Sequence, residues 1–232
     1  MTYIFPPEAA TALNVAHSAA KFAVRRVYCV GRNYAAHARE MGTDPTRDSP
    51  FFFCKPANAV LPVAEGQTAD LPYPGQTANF HHEVELVVAI GKGGTDIPVD
   101  EAGQHVWGYA VGLDMTRRDL QTQMKDKGKP WEIGKAFDCS APMGELYPVS
   151  KAGFPRSAAI YLQVNGADRQ RSNIDQMSWS VPEIISHLSR YFELKPGDLI
   201  MTGTPEGVGA VTIGDVLEGG IDGLGTLRVR VA

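Results

Sequence analysis

Two glutamates, Glu83 and Glu85, stand two apart in the run FHHEVELVVAIG, residues 80–91. The segment 83–90 is rich in Val, Leu and Ile and ends on Gly91-Lys92-Gly93-Gly94, which predicts a β-strand closed by a turn. Alternation along a strand puts both carboxylates on one face and Val84, Leu86, Val88 and Ile90 on the other, in a core. Val87 and Ala89 continue the carboxylate face as apolar residues, so that face is covered as well. Two carboxylates side by side on a covered face repel each other and lose hydration. Either water reaches them or a positive group sits between them, and a divalent cation is the compact answer. Asp114, closing the apolar run 106–114, offers a third hard oxygen ligand. Such a set suits Mg²⁺, Mn²⁺ or Ca²⁺ rather than structural zinc. His81 and His82 do not alter this, because the helical zinc signature needs a second His four residues on, where Leu86 stands. The competing reading of Asp114 is that it caps the helix that follows.

A second group can move protons. His37 and Glu40 lie three apart in NYAAHAREMG, a segment bounded by Asn33 as N-cap and Gly42 as C-cap. On a helix such a pair shares one face, with Cβ atoms about 5–6 Å apart. A carboxylate there orients the imidazole, which suits a general base; a plain surface pair is the alternative. Lys135, Arg118, Gln121 and Thr204 can hold an anionic substrate. The Gly-rich stretch 202–209 resembles a phosphate loop in composition, but a strand-like segment, 211–215, follows it where a phosphate loop needs a helix. It can still present Thr204 and backbone N–H groups to a small carboxylate.

The elements that must position these groups are many and short. Strands are expected at 25–31, 51–55, 106–114, 158–164, 167–172 and 199–201, and an edge-type strand at 227–231. Asn165-Gly166 is the strongest hairpin signal. Helices are expected at 33–42, at 116–127, and at 181–192 behind the capping box Ser180–Glu183, with Ile184, Leu188 and Tyr191 on the apolar face. Residues 43–50 and 57–79 are loops or short extended pieces, and 130–138 is irregular. Met177 and Trp179 are core or pocket wall. Strands without a regular βαβ rhythm predict a β-rich α+β fold.

Composition sets outer bounds. The 232 residues are 44% hydrophobic and 21% charged, enough for a true core. A net charge of −4 gives no general attraction to nucleic acid or to an anionic membrane. No apolar run reaches the ~20 residues of a membrane span. Three cysteines, an odd number without a secretory signal, predict reduced thiols in a cytoplasm, packed as small hydrophobes.

Taken together, YCVGRNYAAHAREMG, FFFCKPANAV, HHEVELVVAIG, GYAVGLDMTRRDLQ, KPWEIGKAFD, YLQVNGADRQ and LIMTGTPEGVG resemble the fumarylacetoacetate hydrolase family across residues 25–210. The resemblance implies a mixed β-sandwich roll with a few peripheral helices, an N-terminal extension over 1–24, a catalytic domain over 25–232, and a homodimer. It implies metal ligation by Glu83, Glu85 and Asp114, a His37–Glu40 dyad with Lys135 as a further catalytic group, and substrate contacts at Arg118, Gln121 and Thr204, with Arg32 beside the pocket. The short N-terminal part is similar to the compact branch that cleaves acylpyruvates, in particular fumarylpyruvate, with Mg²⁺ or Mn²⁺. The substrate implied is a small anionic keto acid. The same enolate chemistry would also permit oxaloacetate decarboxylation or keto-acid isomerisation. A non-catalytic Ca²⁺-binding module would account for the three acids but not for His37, Glu40 or Lys135.

Overall fold

The computed structural model describes residues 2–42 and 49–232. Two β-sheets dominate it. The larger runs in the order Phe51–Lys55, Arg26–Gly31, Asp198–Met201, Val84–Ile90, Val106–Leu113, Ala141–Met143 and Val60–Pro62, with Tyr147–Pro148 also paired to Val106–Leu113. The smaller runs Ala167–Asn173, Ala159–Val164, Val216–Ile221, Thr226–Val231 and Thr68–Leu71. The result is mostly β with a few short helices, the β-rich α+β roll expected from the sequence.

The central strand explains the arrangement. Val84, Leu86, Val88 and Ile90 enter the main core with Ile160, Leu162, Leu217, Leu227 and Val229 of the smaller sheet and Ile184, Ile185 and Leu188 of the Val181–Ser189 helix. Val87 and Ala89 enter a second core on the other face, with Val27, Cys29 and Met201. Leu13, within the N-terminal hairpin of Ala12–Asn14 and Lys21–Ala23, and Val24 just after it cover that face. A strand apolar on both faces is buried on both, and every residue of Val84–Ile90 is buried.

Several expectations need correcting. Asn33 does not cap the Ala35–Glu40 helix; its amide donates to Trp179 O and Thr202 O and accepts from Trp179 N–H, tying three segments together. The helix expected at 116–127 begins only at Arg118, because Thr116–Arg117 pairs as a strand with Phe80–His82. A short helix, Glu132–Lys135, forms in the stretch read as irregular. The Val181–Ser189 helix stops short, so Tyr191 lies beyond it and is 70% exposed. Residues 211–215 are not a strand; Gly209–Ala210 and Val216–Ile221 are. Thr226–Val231 is no edge, since it pairs antiparallel with Val216–Ile221 and parallel with Thr68–Leu71. Met177 and Trp179 pack against the main core. Cys29 is buried as expected, whereas Cys54 is exposed; all three thiols are free. Of the loop expected over 43–50, residues 43–48 lie outside the described residues.

Asp198 fastens the entry of the Asp198–Met201 strand to its parallel neighbour. Fully buried, it accepts from Arg25 Nη1 at 3.0 Å, from Arg26 Nη2 at 3.2 Å and from Lys195 N–H at 2.9 Å. Both arginines are partly exposed and can return to water, so Asp198→Ala is expected to lower stability by about 2 kcal/mol rather than more. Urea unfolding reads this directly; an unchanged midpoint would mean that the cluster contributes nothing net.

Candidate active site

Glu83, Glu85 and Asp114 meet at the paired ends of two antiparallel strands. Val84 lies opposite Leu113 and Glu85 opposite Gly112, and the ladder runs one step further as Asp114 N–H donates to Glu83 O at 2.8 Å. Register alone therefore brings the three acids together. One carboxylate oxygen of each lies within 4.8 Å of the others, and all three residues are buried. No other such acidic, His or Cys group occurs among the described residues. Asp114 is not a helix cap; the helix begins at Arg118, behind Arg117.

Three cations surround the three acids. Arg118 donates to Glu83 Oε1 and to Gln121 Oε1. Lys135 Nζ donates to Glu83 Oε2 at 2.9 Å, to Asp114 Oδ2 at 2.7 Å and to Thr116 Oγ1 at 2.7 Å, which engages all three of its protons. Lys55 Nζ stands 2.9 Å from Asp114 Oδ1 and also donates to Ser140 O, Ser140 Oγ and the Lys135 carbonyl. The Lys55–Asp114 contact has an ion-pair distance without hydrogen-bond alignment, so Asp114 Oδ1 is buried with no hydrogen bond. Among the described residues, no cation pairs with Glu85. Its Oε2 accepts only the Gly203 N–H, at 2.7 Å. Gly203 holds a φ of +97°, and an added Cβ would meet Asn33 Cβ at 2.7 Å, so glycine is needed there.

The electrostatics follow from this. Burial alone would raise Glu83, but Lys135 and then Arg118 outweigh it and hold its carboxyl well below the usual range. Glu85 is pushed well above that range, first by burial and then by Asp114 and Glu83. Burial opposes the Lys135 charge, and Asp114 and Glu83 outweigh burial, so its ammonium is held above the ordinary lysine value. Three hard oxygens within 4.8 Å of one another, a buried Asp114 oxygen without a hydrogen bond and a Glu85 carboxyl without an ion pair among the described residues fit a divalent cation.

The remaining predicted residues gather here. Arg32, His37, Gln121 and Thr204 line the same pocket as the acids, Arg118 and Lys135. Glu40 stands behind His37, its Oε2 3.0 Å from His37 Nδ1, and its Oε1 accepts the Gly207 N–H at 3.0 Å. Arg32 takes a left-handed φ of +58° and lies over the Phe51 ring. The Thr204 hydroxyl gives its one proton to Val84 O and its oxygen accepts from Gln170 Nε2, so the side chain is tied back into the fold while the residue lines the pocket. Lys55 was not singled out from the sequence. Its signal was a lysine closing the apolar run FFFC: a charge at the end of a buried strand requires an anionic partner. Phe51, Phe53 and Trp131, which wall the pocket, carried no signal beyond their apolar character.

A buried carboxyl that stays protonated in the fold but ionises in the unfolded chain costs stability as pH rises from the ordinary carboxylate range toward its raised value. Glu85→Gln is therefore expected to raise the Tm of the EDTA-treated protein at neutral pH by a few degrees and to flatten its fall with pH. Thermal melts from about pH 5 to about pH 8 check this. A variant melting no higher than its parent contradicts it.

Comparison with known proteins extends the geometry. The family model for the fumarylacetoacetate hydrolase C-terminal domain matches residues 26–232. The crystal structure of fumarylpyruvate hydrolase from Pseudomonas aeruginosa, in complex with Mn²⁺ and pyruvate, is 67% identical, with a TM-score of 0.98 over 100% of this chain and 99% of that one. Fumarylpyruvate hydrolase of a Ralstonia species is 45% identical over 81% of this chain and 95% of its own length. The mitochondrial oxaloacetate tautomerase FAHD1 of Rattus norvegicus is 43% identical over 89% of this chain and 91% of its own length. With the acidic triad, the fold and these relatives in agreement, the chain belongs to the fumarylacetoacetate hydrolase family.

Proposed function

We propose that this protein hydrolyses the carbon–carbon bond of an acylpyruvate, fumarylpyruvate giving fumarate and pyruvate. The observation that carries the reading is that Glu83, Glu85 and Asp114 share one buried pocket with His37, whose Nδ1 is held by Glu40. The pyruvate and Mn²⁺ bound by the Pseudomonas aeruginosa enzyme support it.

Glu83, Glu85 and Asp114 hold a divalent cation, Mg²⁺ or Mn²⁺. When bound, it supplies Lewis acidity to an enolate oxygen, which a carbanion leaving group requires. His37, its Nδ1 occupied by Glu40, uses Nε2 to take a proton from water. The hydroxide adds to the distal carbonyl, the carbon–carbon bond breaks, and its electron pair leaves on pyruvate as the enolate. The proton returns to that carbon. Lys135, with its donors engaged by two of the acids and Thr116, contributes a fixed positive charge beside the developing enolate. Arg118, whose buried Nε lacks a partner, Gln121, Thr204 and Arg32 receive the substrate's anionic groups.

A second reading has its own support. The 43% identity to an oxaloacetate tautomerase favours enolate chemistry without water addition. A homodimer, a cytoplasmic setting and a place in aromatic-ring degradation belong to the same proposal, and sedimentation velocity reads the first. Among the described residues, no helix is long and apolar enough to cross a membrane.

EDTA is expected to abolish turnover and Mg²⁺ or Mn²⁺ to restore it. Glu83→Ala should be inactive at any metal concentration. His37→Ala should lower kcat for fumarylpyruvate by about 10²- to 10⁴-fold with KM little changed. Assaying fumarylpyruvate, acetylpyruvate and oxaloacetate side by side separates the two readings. Near-normal kcat in His37→Ala would end the hydrolytic one.

A further inference from the structure

The Ala167–Asn173 strand is the outer strand of the smaller sheet, and most of its residues are exposed. Gln170 is the exception, at 1% exposure. An amide so buried must place its donors and its acceptor, and Gln170 places all of them. Its Oε1 accepts the Val84 N–H at 3.0 Å and the His82 Nδ1–H at 3.0 Å. Its Nε2 donates to Thr204 Oγ1 at 2.8 Å and to Pro205 O at 2.9 Å. The Val84 and Pro205 contacts fix which end of the amide is oxygen, and so fix the His82 tautomer. Thr204 Oγ1 in turn donates to Val84 O at 2.8 Å, closing a ring of bonds around one residue, Val84.

That residue lies between Glu83 and Glu85. The loop on the other side carries two further N–H groups, Gly203 on Glu85 Oε2 and Gly207 on Glu40 Oε1. The loop also lies directly on the Gln170 strand: a Cβ at Gly207 would stand 2.0 Å from Arg169 O. We propose that Gln170 is a positioning residue that clamps the 203–207 loop to the ligand strand, so that Glu85 and Glu40 are held in one fixed relation. Gln170 is not among the residues that line the pocket. It acts through the loop, whose N–H groups hold a ligand on one side and the proton-transfer dyad on the other. The inference rests on the acidic triad and the His37–Glu40 dyad being the working groups.

The test compares Gln170→Met, similar in volume but without the amide, with Glu40→Gln and with the double variant, in the Mn²⁺-loaded protein on fumarylpyruvate. Gln170→Met is expected to lower kcat by about 10- to 100-fold, with KM changed less than about threefold, as a small misplacement of catalytic groups does. The double variant should lose little more than the worse single variant, because both act on the same carboxylate. A stability defect alone would leave the kcat of the folded fraction intact and would add to Glu40→Gln. Gln170→Glu, which keeps the acceptor side toward Val84 and His82, carries the same test if the Met variant does not fold. A kcat within about twofold of the parent, strict additivity, or failure of both variants to fold overturns the clamp. Should Glu40→Gln itself leave kcat unchanged, the dyad reading falls, and that result is separate from one in which only the Gln170 variants are silent.

Discussion

Three carboxylates buried within reach of one another are the constraint on which the rest of this molecule depends. Isolated, each would lose hydration and repel the other two. The protein answers two of them with fixed cations. Lys135 and Arg118 hold Glu83, and Lys135 and Lys55 hold Asp114. Among the described residues, Glu85 receives a backbone N–H and no ion pair. The asymmetry matters, because full neutralisation by side chains would leave no electrostatic reason to take up a metal ion. An unmatched carboxylate beside three orienting cations keeps the site ready for a divalent charge while preserving its shape.

Such a cluster needs rigid support. The two strands that carry it are paired along their whole length and covered on both faces, so neither can shift without disturbing two cores. A slip of one residue in the Val84–Leu113 register would move Glu83 and Glu85 to the other face and bring Val84 and Leu86 out of the main core. The apolar alternation that builds the core therefore also fixes the ligands. Function and stability here draw on the same register, while two residues with positive φ, Arg32 and Gly203, line the pocket beside it.

Much of this was legible from local pattern, and what was not has a common cause. Glu83 and Glu85 on one face, His37 and Glu40 at i and i+3, and the Asn165-Gly166 hairpin are short-range features, and each is found as read. The ends of elements were less secure, because distant partners decide them. Asn33 was read as a cap because it precedes a helix, yet its amide bridges to Trp179 and Thr202. Thr226–Val231 looked like an edge because its parallel partner, Thr68–Leu71, lies far back in the chain. Lys55 and Gln170 owe their importance to contacts far off in sequence, with Asp114 and Ser140 for the one and with Val84, Thr204 and Pro205 for the other. Pattern shows which side chains face inward; it does not show which backbone they meet there.

The relatives divide between hydrolysis and tautomerisation, and the site's physics locates where such a division must arise. Both reactions pass through an enolate beside a carboxylate, so both need the cation and the positive charge of Lys135 and Arg118. Hydrolysis alone needs a base that delivers hydroxide to a second carbonyl. On the reading proposed above, that demand falls on His37, on Glu40 behind it and on the loop whose Gly207 N–H holds Glu40. That loop is fixed to the ligand strand by Gln170 and Thr204 and not by the acids alone. The placement of the base can thus change while the metal ligands stay where they are. A fold that stabilises enolates with one set of residues and places water with another can exchange one reaction for the other by altering only the second set.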